Sequence, residues 1–353
     1  MGWFRAKFAT RDPGSPSFAC PAIALASYPV ACLLLAAPAL ASGPEAPLPT
    51  ANRSPLLLPV GLPDASSAVV LPAGALELRS TLEIANTSLY EPSLCGDGCS
   101  LALDGETTRL AIGARRGFGD GWEASVTLPL LRHSGGFLDS AIEGWHDVFG
   151  LPNGDRDGYP QDRLIYQYRP DSGGVAVTDT VTGIGDVQLG IARRLGERFA
   201  LRGQLELPSG DADDLTGSGG TDLALSLHFS SNGNRAAMRP RQRLYAHLSG
   251  GVLLREDGDL LPAEQENWVG FGSATVGWRA SEHWHLKVQL DAHSSAWNSP
   301  REAIGEPSAQ LVVGASGRLG KAWVIDLAFS EDIVVERSPD IVFQLGLRWQ
   351  RPQ

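Results

Sequence analysis

Lysine, methionine and cysteine are scarce in this 353-residue sequence: Lys7, Lys287 and Lys321 are its only lysines, beside 2 Met and 4 Cys. Acidic residues (40) outnumber basic ones (29), the formal net charge is −11, and no basic cluster stands out except residues 235–243. A protein that binds nucleic acid through a basic patch is therefore not expected. The 41 Gly and 24 Pro disfavour a helix-rich enzyme and favour strands and turns.

The N-terminal region has the three parts of a secretory signal peptide. The basic residues Arg5, Lys7 and Arg11 precede an almost wholly apolar run, residues 21–41, which ends in Ala39-Leu40-Ala41. We therefore predict a signal peptide over residues 1–41, cleaved before Ser42. The alternative is a single transmembrane anchor, although three prolines interrupt the run.

The rest of the chain alternates apolar and polar residues. No later stretch offers the roughly 18 consecutive apolar residues that a membrane helix requires. In residues 76–84, for example, Leu and Ile occupy one parity and charged residues the other, which indicates a strand with one apolar face. Twelve such strands are predicted, at residues 75–86, 106–116, 122–131, 184–195, 199–208, 221–230, 244–254, 268–279, 284–294, 308–319, 322–330 and 340–349.

The connections between these strands alternate between short and long, which is typical of an outer-membrane barrel with short periplasmic turns and long external loops. The predicted fold class is all-β, a transmembrane antiparallel up-and-down β-barrel of about 12 strands. Fourteen is the alternative, because residues 164–168 and 175–181 can pair as an extra hairpin. The predicted domains are the signal peptide (1–41), a periplasmic lead-in or plug segment (42–72) and the barrel (73–353).

Six aromatic residues begin or end strands at the same rim, on the apolar parity, as an interfacial girdle requires. They are Trp122, Phe199, Trp278, Trp284, Trp323 and Trp349.

The opposite parity carries polar and charged residues, which predicts a polar lumen. The predicted lumen-lining residues are Glu77, Arg79, Glu83, Arg109, Arg115, Glu123, Arg202, Glu206, Asp222, His228, His247, Lys287, Asp291 and Asp326. We expect a passive passage for small solutes of unknown identity. The alternatives are a non-conducting structural or assembly barrel and, less favoured, a lipid-acting enzyme.

The sequence also resembles a known family. The motifs that carry the resemblance are residues 128–139, 142–147, 149–152, 217–222, 267–272 and 339–349, within a span of about residues 53–349. They are similar to the bacterial family known as domain of unknown function 3187. Residues 183–186 and 207–211 are similar to barrel proteins of phenol-degradation pathways. The first resemblance implies an outer-membrane barrel without an assigned activity.

No catalytic residue, metal site or cofactor is predicted. His133 and Ser134 with Asp139 resemble a surface hydrolase site, but adjacent residues of a strand point to opposite faces. His285 and His293 are about 27 Å apart along one strand, too far to share an ion. The expected partners are outer-membrane lipid and, during insertion, the barrel-assembly machinery, which recognises a last strand such as residues 341–349; the oligomeric state is unknown.

Two details of strand register and one loop element are also predicted. The turn 117–121 is expected to place Arg115 opposite Glu123, and the turn after residue 230 to place His228 opposite His247. Two facing imidazoles repel each other when both are protonated, so the lumen charge is expected to change at mildly acidic pH. Residues 137–149 predict a short amphipathic helix that either narrows the mouth or lies on the outer leaflet.

Cys95 and Cys99 are expected to form a small disulfide loop, because they are close in sequence and the signal peptide directs the chain to an oxidising compartment. The first external loop is expected to hold them with their Cα atoms within about 7 Å, and a larger separation would contradict the prediction.

Overall fold

The computed structural model describes residues 43–91, 101–140, 142–144, 160–170, 173–233, 242–334 and 337–350. The loop with Cys95 and Cys99 lies outside them. Two 3-10 turns, at Leu58–Val60 and Gly119–Gly121, and the short helix α1, Glu302–Gly305, accompany the strands. The strands are β1 Leu76–Glu91, β2 Leu101–Gly117, β3 Trp122–Ser134, β4 Ile165–Tyr168, β5 Val175–Val177, β6 Val181–Ile184, β7 Val187–Arg194, β8 Phe199–Leu207, β9 Asp222–Ser230, β10 Leu244–Arg255, β11 Trp268–Arg279, β12 Trp284–His293, β13 Ser308–Leu319, β14 Trp323–Asp332 and β15 Ile341–Gln350.

Twelve of these strands close an antiparallel barrel, as predicted. Each of β1, β2, β3 and β7 to β15 pairs with the next, and β15 pairs back with β1 over Glu77–Asn86. The predicted extra hairpin is β4 and β5, which adds to β2 at Leu101–Asp104 without entering the ring. The wall is therefore twelve-stranded, and the fourteen-stranded alternative is wrong.

Strands β6 and β7 form one wall strand with a break at Gly185 and Asp186. Both pair with β3, β6 at residues 130–133 and β7 at residues 122–127. Pro129 of β3 lies at the break, where its carbonyl accepts a hydrogen bond from Gly185 N at 2.8 Å. A proline inside a strand is tolerated at such an irregularity, because it offers no N–H to a ladder.

The barrel has two unlike ends. The short-turn end holds the connections 118–121, 195–198, 280–283 and 320–322, together with the intermediate connection 231–243. The long-loop end holds the remaining connections, including the one between β3 and β6 that carries β4 and β5. The first strand, β1, begins at the short-turn end and the last strand, β15, ends there, as an even number of strands requires.

Both predicted registers at the short-turn end are wrong by two residues. The β2–β3 ladder continues to Gly117 opposite Glu123, and Phe118 N donates to Trp122 O, so Arg115 lies opposite Ser125. A shift of two residues keeps every side chain on its predicted face.

The β9–β10 ladder likewise extends one residue beyond β9, because Ser231 N donates to Ala246 O. His247 therefore lies opposite Ser230, and His228 opposite Ser249. The two imidazoles do not face each other across the strand pair, so the pH effect predicted for a facing pair lacks its structural basis.

The outer face of the wall is apolar and exposed around the ring. Leu225, Leu286 and Leu345 are 50%, 46% and 45% exposed, whereas the polar residues between them point inward and are buried. An exposed apolar belt of this extent is unfavourable in water and is the surface that a lipid-spanning barrel presents. In the part of the chain that is described, no helix is long and apolar enough to cross a membrane.

The six girdle aromatics lie at the short-turn end of this belt. Five are exposed and Trp349 is half-buried. Neighbouring strands bring several together: Trp323 lies opposite Trp349, Phe199 contacts Phe229 at 5.3 Å between ring centroids, and Arg193 covers the ring of Trp122.

Residues 139, 140 and 142–144 of the long β3–β6 connection are helical, which agrees with the predicted short helix in its described part. Ile142 is buried, and Asp139 accepts a hydrogen bond from Asn86 of β1 at 3.0 Å. This part of the helix therefore packs against the barrel; the rest of the predicted helix lies outside the described residues.

A charge placed on the outer face should destabilise the barrel according to its depth. Leu225→Arg in the middle of β9 is expected to lower the free energy of unfolding by about 2–4 kcal/mol, because the guanidinium would lie in hydrocarbon. Leu244→Arg, at a position that is also exposed (63%) but lies beside Trp278 at the rim, should cost about 0–1 kcal/mol. Denaturant unfolding of both variants in lipid vesicles checks this, and equal costs at the two depths would contradict a lipid-facing belt.

Candidate functional site: a lumen filled by residues 43–72

Residues 43–72 lie inside the barrel, where they form an internal plug. They contain no strand and only one 3-10 turn, Leu58–Val60, which ends at Gly61 in the left-handed conformation (φ 72°). An ascending arm, residues 43–56, rises from the short-turn end to the long-loop end, and a descending arm, residues 61–72, returns to the start of β1. Of the 26 residues in the two arms, 20 are buried and the other six are half-buried.

The ascending arm runs parallel to β12 along its inner face. Every second residue of the arm contacts every second residue of β12, and the two members of each pair are 241 positions apart in the sequence. The contact between Leu56 and Trp297, beyond the end of β12, has the same separation. Gln289 both accepts from Leu48 N at 3.1 Å and donates to Leu48 O at 3.0 Å. The constant separation follows from the two-residue period of an extended chain. The pairs are Ala46 with Lys287, Leu48 with Gln289, Thr50 with Asp291, Asn52 with His293, and Leu56 with Trp297.

The descending arm runs parallel to β9 in the same manner. Ser66 O accepts from His228 Nδ1 at 2.9 Å, and Ala68 N donates to Ser230 Oγ at 2.9 Å, pairs that are both 162 positions apart. Below them, Arg202 donates to the carbonyls of Ser67 and Val69.

A relay through His247 connects both arms to the wall. Ser230 Oγ, which accepts from Ala68 N, lies 2.8 Å from His247 Nδ1. His247 Nε2 donates to Glu45 O of the ascending arm at 2.7 Å. Since a carbonyl oxygen only accepts, this geometry assigns the imidazole proton to Nε2 and makes Nδ1 the acceptor for Ser230.

Arg53 ties the arms to each other and to the wall at mid-height. Its guanidinium contacts Asp64 of the descending arm at 2.5 Å and Glu83 of β1 at 2.9 Å. Glu83 also binds Arg109 of β2 at 2.5 Å. Two cations and two carboxylates thus alternate in a buried chain, so each charge has an opposite neighbour.

Ion pairs line the wall near the short-turn end. Arg115 contacts Glu123 at 2.7 Å and Glu77 at 3.1 Å, and also donates to Val69 O of the plug. Although Arg115 is not directly opposite Glu123, the long arginine side chain bridges the diagonal. On the adjoining strands β15 and β14, Arg348 donates two hydrogen bonds to Asp326, at 2.8 and 2.9 Å.

An apolar cluster closes the long-loop end. The tip of the plug packs with side chains from the hairpin β4–β5 and the loops after β8, β10 and β12. Tyr168 donates to Glu264 at 2.7 Å, and burial raises the pKa of this phenol to about 12, which keeps the donating proton in place. Arg255 covers the ring of Trp297 at 4.6 Å. The tip residues in the cluster are Leu56, Leu57, Val60 and Leu62.

A cavity of about 120 Å³ remains between the arms and the wall. At about 30 Å³ for each water molecule, this volume holds about four of them. Its lining is polar and apolar in about equal parts, and it includes Arg79, Arg115 and Arg202 on one side and Asp291 of β12 on the other.

The structure places all fourteen predicted lumen-lining residues on the inner face. Twelve are buried, while Arg79 and Arg202 are partly exposed to the interior. They do not form one site, since the plug divides them. Those that form a hydrogen bond with the plug are Glu83, Arg115, Glu123, Arg202, His228, His247, Lys287 and Asp291.

Sequence reasoning missed several residues of this arrangement. Arg348 and Gln344 lie on the inner parity of β15, which the predicted outward parity of Phe343, Leu345 and Leu347 already implied. Arg53 and Asp64 are the only charged residues between positions 46 and 75. Because these two opposite charges stand alone in an apolar, proline-rich segment, the sequence already indicated that the two side chains pair with each other.

The residues considered for a hydrolase site have other roles. His133 is fully buried, with Nδ1 2.8 Å from Thr107 Oγ1 and Nε2 donating to Leu215 O at 3.2 Å. Asp139 accepts from Asn86 and from Asp162 N. His133 therefore holds an external loop on the barrel and does not face lipid. Within the described ranges, no group of three or more His, Cys, Asp or Glu could hold a metal ion.

Gly117 tests how closely the plug is seated. A Cβ at this position would lie 2.1 Å from Pro72 O and 2.4 Å from Leu71 O, both backbone atoms of the descending arm. Gly117→Ala is expected to displace that end of the plug, cost about 1–3 kcal/mol and accelerate amide hydrogen exchange in residues 66–72. Gly203→Ala, in a wall strand where the nearest atom is 3.4 Å away, should leave exchange unchanged. Equal exchange in both variants would contradict the seating described.

Several solved barrels are similar to this chain. CymD, a monoaromatic hydrocarbon channel, is 11% identical with a TM-score of 0.41, covering 87% of this chain and 94% of CymD. The NanC porin is 11% identical with a TM-score of 0.40, covering 78% and 99%. The P. putida toluene transporter TodX is 11% identical with a TM-score of 0.37, covering 86% and 94%. At this identity the likeness concerns the fold alone.

No curated protein matches the sequence significantly. The family described as protein of unknown function (DUF3187) matches residues 22–350, nearly the whole chain and including every barrel strand. The resemblance drawn from the sequence motifs is thereby confirmed: this chain belongs to the DUF3187 family.

Proposed function

We propose that this protein is a passage for small polar solutes across the bacterial outer membrane, closed at rest by its own residues 43–72. The observation that carries the proposal is how the plug is held. Hydrogen bonds and ion pairs attach it to the inner wall, and no part of it is a strand of the barrel. A segment held in this way can move while the twelve-stranded ring stays closed.

The outer surface supports the proposed location. The apolar belt and the rim aromatics fit a membrane, and the predicted signal peptide fits export. The expected partners are outer-membrane lipid around the belt and, during insertion, the barrel-assembly machinery, which would recognise β15. We propose that the barrel transports solutes and does not catalyse a reaction.

The inner surface supports a polar solute. Charged residues continue along the inner wall from Glu77 to Glu83 on β1, and from Lys287 to Asp291 on β12. Such side chains are costly beside hydrocarbon and ordinary beside water. A lumen that the plug partly vacated would therefore fill with water and admit small polar molecules.

A second candidate is a structural barrel that never conducts. The observation that favours it is how much of the lumen is filled: beside the apolar cluster at the long-loop end and the buried ion pairs, the cavities along the plug are small, about 120 and 20 Å³. The two candidates differ in one measurable respect, namely whether the plug moves while the barrel is intact.

A reversible crosslink between plug and wall distinguishes them. Ala68 N is 2.9 Å from Ser230 Oγ, so Ala68→Cys with Ser230→Cys places two thiols where a disulfide is feasible. In planar bilayers the reduced double variant should show conductance events like the native protein, and oxidation should abolish them because the descending arm is fixed to β9.

The control is Ala68→Cys alone, taken through the same oxidation and reduction, which also accounts for any effect on Cys95 and Cys99. The passage is refuted if native protein, single variant and reduced double variant all remain closed; events that persist in the oxidised double variant would show that the plug is not the gate.

A further inference from the structure

Arg79 is a weakly paired cation of the lumen wall, beside the cavity. Among the described residues its only hydrogen bond is to Glu77, at 3.5 Å, and its buried Nε has no partner. By contrast, Arg115 has contacts of 2.7–3.1 Å to two carboxylates. An arginine with five donors and one weak contact leaves most of its hydrogen-bonding capacity unused.

The register explains why Arg79 lacks a partner. On one side it lies opposite Arg348, and on the other opposite Gly113, which has no side chain. Arg348 is itself neutralised by Asp326 and offers Arg79 only a like charge. The space over Gly113 is occupied by the stem of Arg79, whose Cγ would lie 3.1 Å from a Cβ at that glycine. The wall thus makes room for this side chain without supplying its counter-ion.

The surroundings of Arg79 carry an excess positive charge. Arg79, Arg115 and Arg202 all line the cavity, and only Glu77 and Glu123 are paired with them. This group has one cation more than it has anions.

The other two carboxylates on the cavity are held mainly by other partners. Asp64 is held by Arg53 at 2.5 Å. Asp291 lies on β12, four strands away around the wall, where Thr50, Gln289 and Gln310 donate to it. The excess charge therefore remains at the Arg79 side of the cavity.

We infer that the cavity beside Arg79 binds a small monovalent anion of the carboxylate class. Its oxygens would accept from the free edge of the Arg79 guanidinium, a geometry that matches a carboxylate, and its single charge would balance the group. The inference rests on the proposed function in that it names the solute class of the passage, while the binding site itself does not require the plug to move.

Binding of sodium acetate to the full, detergent-solubilised protein tests the site by calorimetry at constant ionic strength. The native protein should bind acetate saturably, and Arg79→Gln should weaken the binding about tenfold or more. Arg79→Lys should retain part of the affinity, because it keeps the charge and loses the fork. Arg116→Gln, which removes an exposed arginine at the rim, is the matched control and should bind as the native protein does.

Thermal unfolding separates binding from a structural role. Arg79→Gln should leave the Tm unchanged or raise it, because it removes a weakly paired cation from the lumen, whereas Arg115→Gln should lower it because it breaks two buried ion pairs. A fall in Tm for Arg79→Gln as large as that for Arg115→Gln would overturn the assignment of Arg79 as a ligand-binding residue.

Three further results would count against the inference. Native protein that does not bind acetate, or Arg79→Gln that binds it equally well, refutes the site. Saturable binding of inorganic phosphate without binding of acetate refutes the carboxylate class. The proposed passage is judged separately: acetate binding in a barrel that never conducts upholds the site and refutes the passage, and conductance without acetate binding does the reverse.

Discussion

The contact of Arg53 with Asp64 and Glu83 is the interaction on which the interior of this barrel depends. It joins the ascending arm, the descending arm and the wall at one point. Without Arg53, the carboxylates of Asp64 and Glu83 would each have one cation fewer beside them. The two arms would also lose the ion pair that joins them. Removing one member of such a buried set is far more costly than the net contribution of the set to stability. Arg53 thereby fixes the position of the plug more than it adds to the stability of the ring.

The same constraint explains why a polar wall and a proline-rich segment suit each other. A twelve-stranded ring lined with charges requires partners for them, and the backbone carbonyls of an extended segment supply acceptors at regular intervals. Arg202, Lys287 and Arg348 all donate to plug carbonyls. Prolines keep the arms extended and remove N–H groups that the wall would otherwise have to satisfy.

The sequence was sufficient for the wall because side-chain alternation is local. The period of two assigned an inner or outer face to each residue of a strand such as β12, and those assignments agree with the structure. The register between strands was harder to predict from the sequence. It depends on whether the backbone hydrogen bonds of a strand pair continue beyond the residues that alternate apolar and polar, as they do at Gly117 and Ser231. The course of the plug was beyond local reasoning: Leu48 and Gln289 are partners across 241 positions, and neither belongs to a pattern that names the other. For the same reason the missing counter-ion of Arg79 became visible only when the strands on both sides were known.

The hairpin path of the plug has a consequence for assembly. Gly43 lies beside Arg348, and residues 72–75 lead into β1, so both ends of the plug are at the short-turn end and only its tip reaches the loops. The segment therefore runs along the lumen twice, once in each direction, and neither of its ends leaves the barrel at the long-loop end. Because the segment is folded back on itself, its tip can enter first, from the short-turn end, into a ring that is already closed between β1 and β15. It can be withdrawn the same way, without threading a free end and without opening the seam.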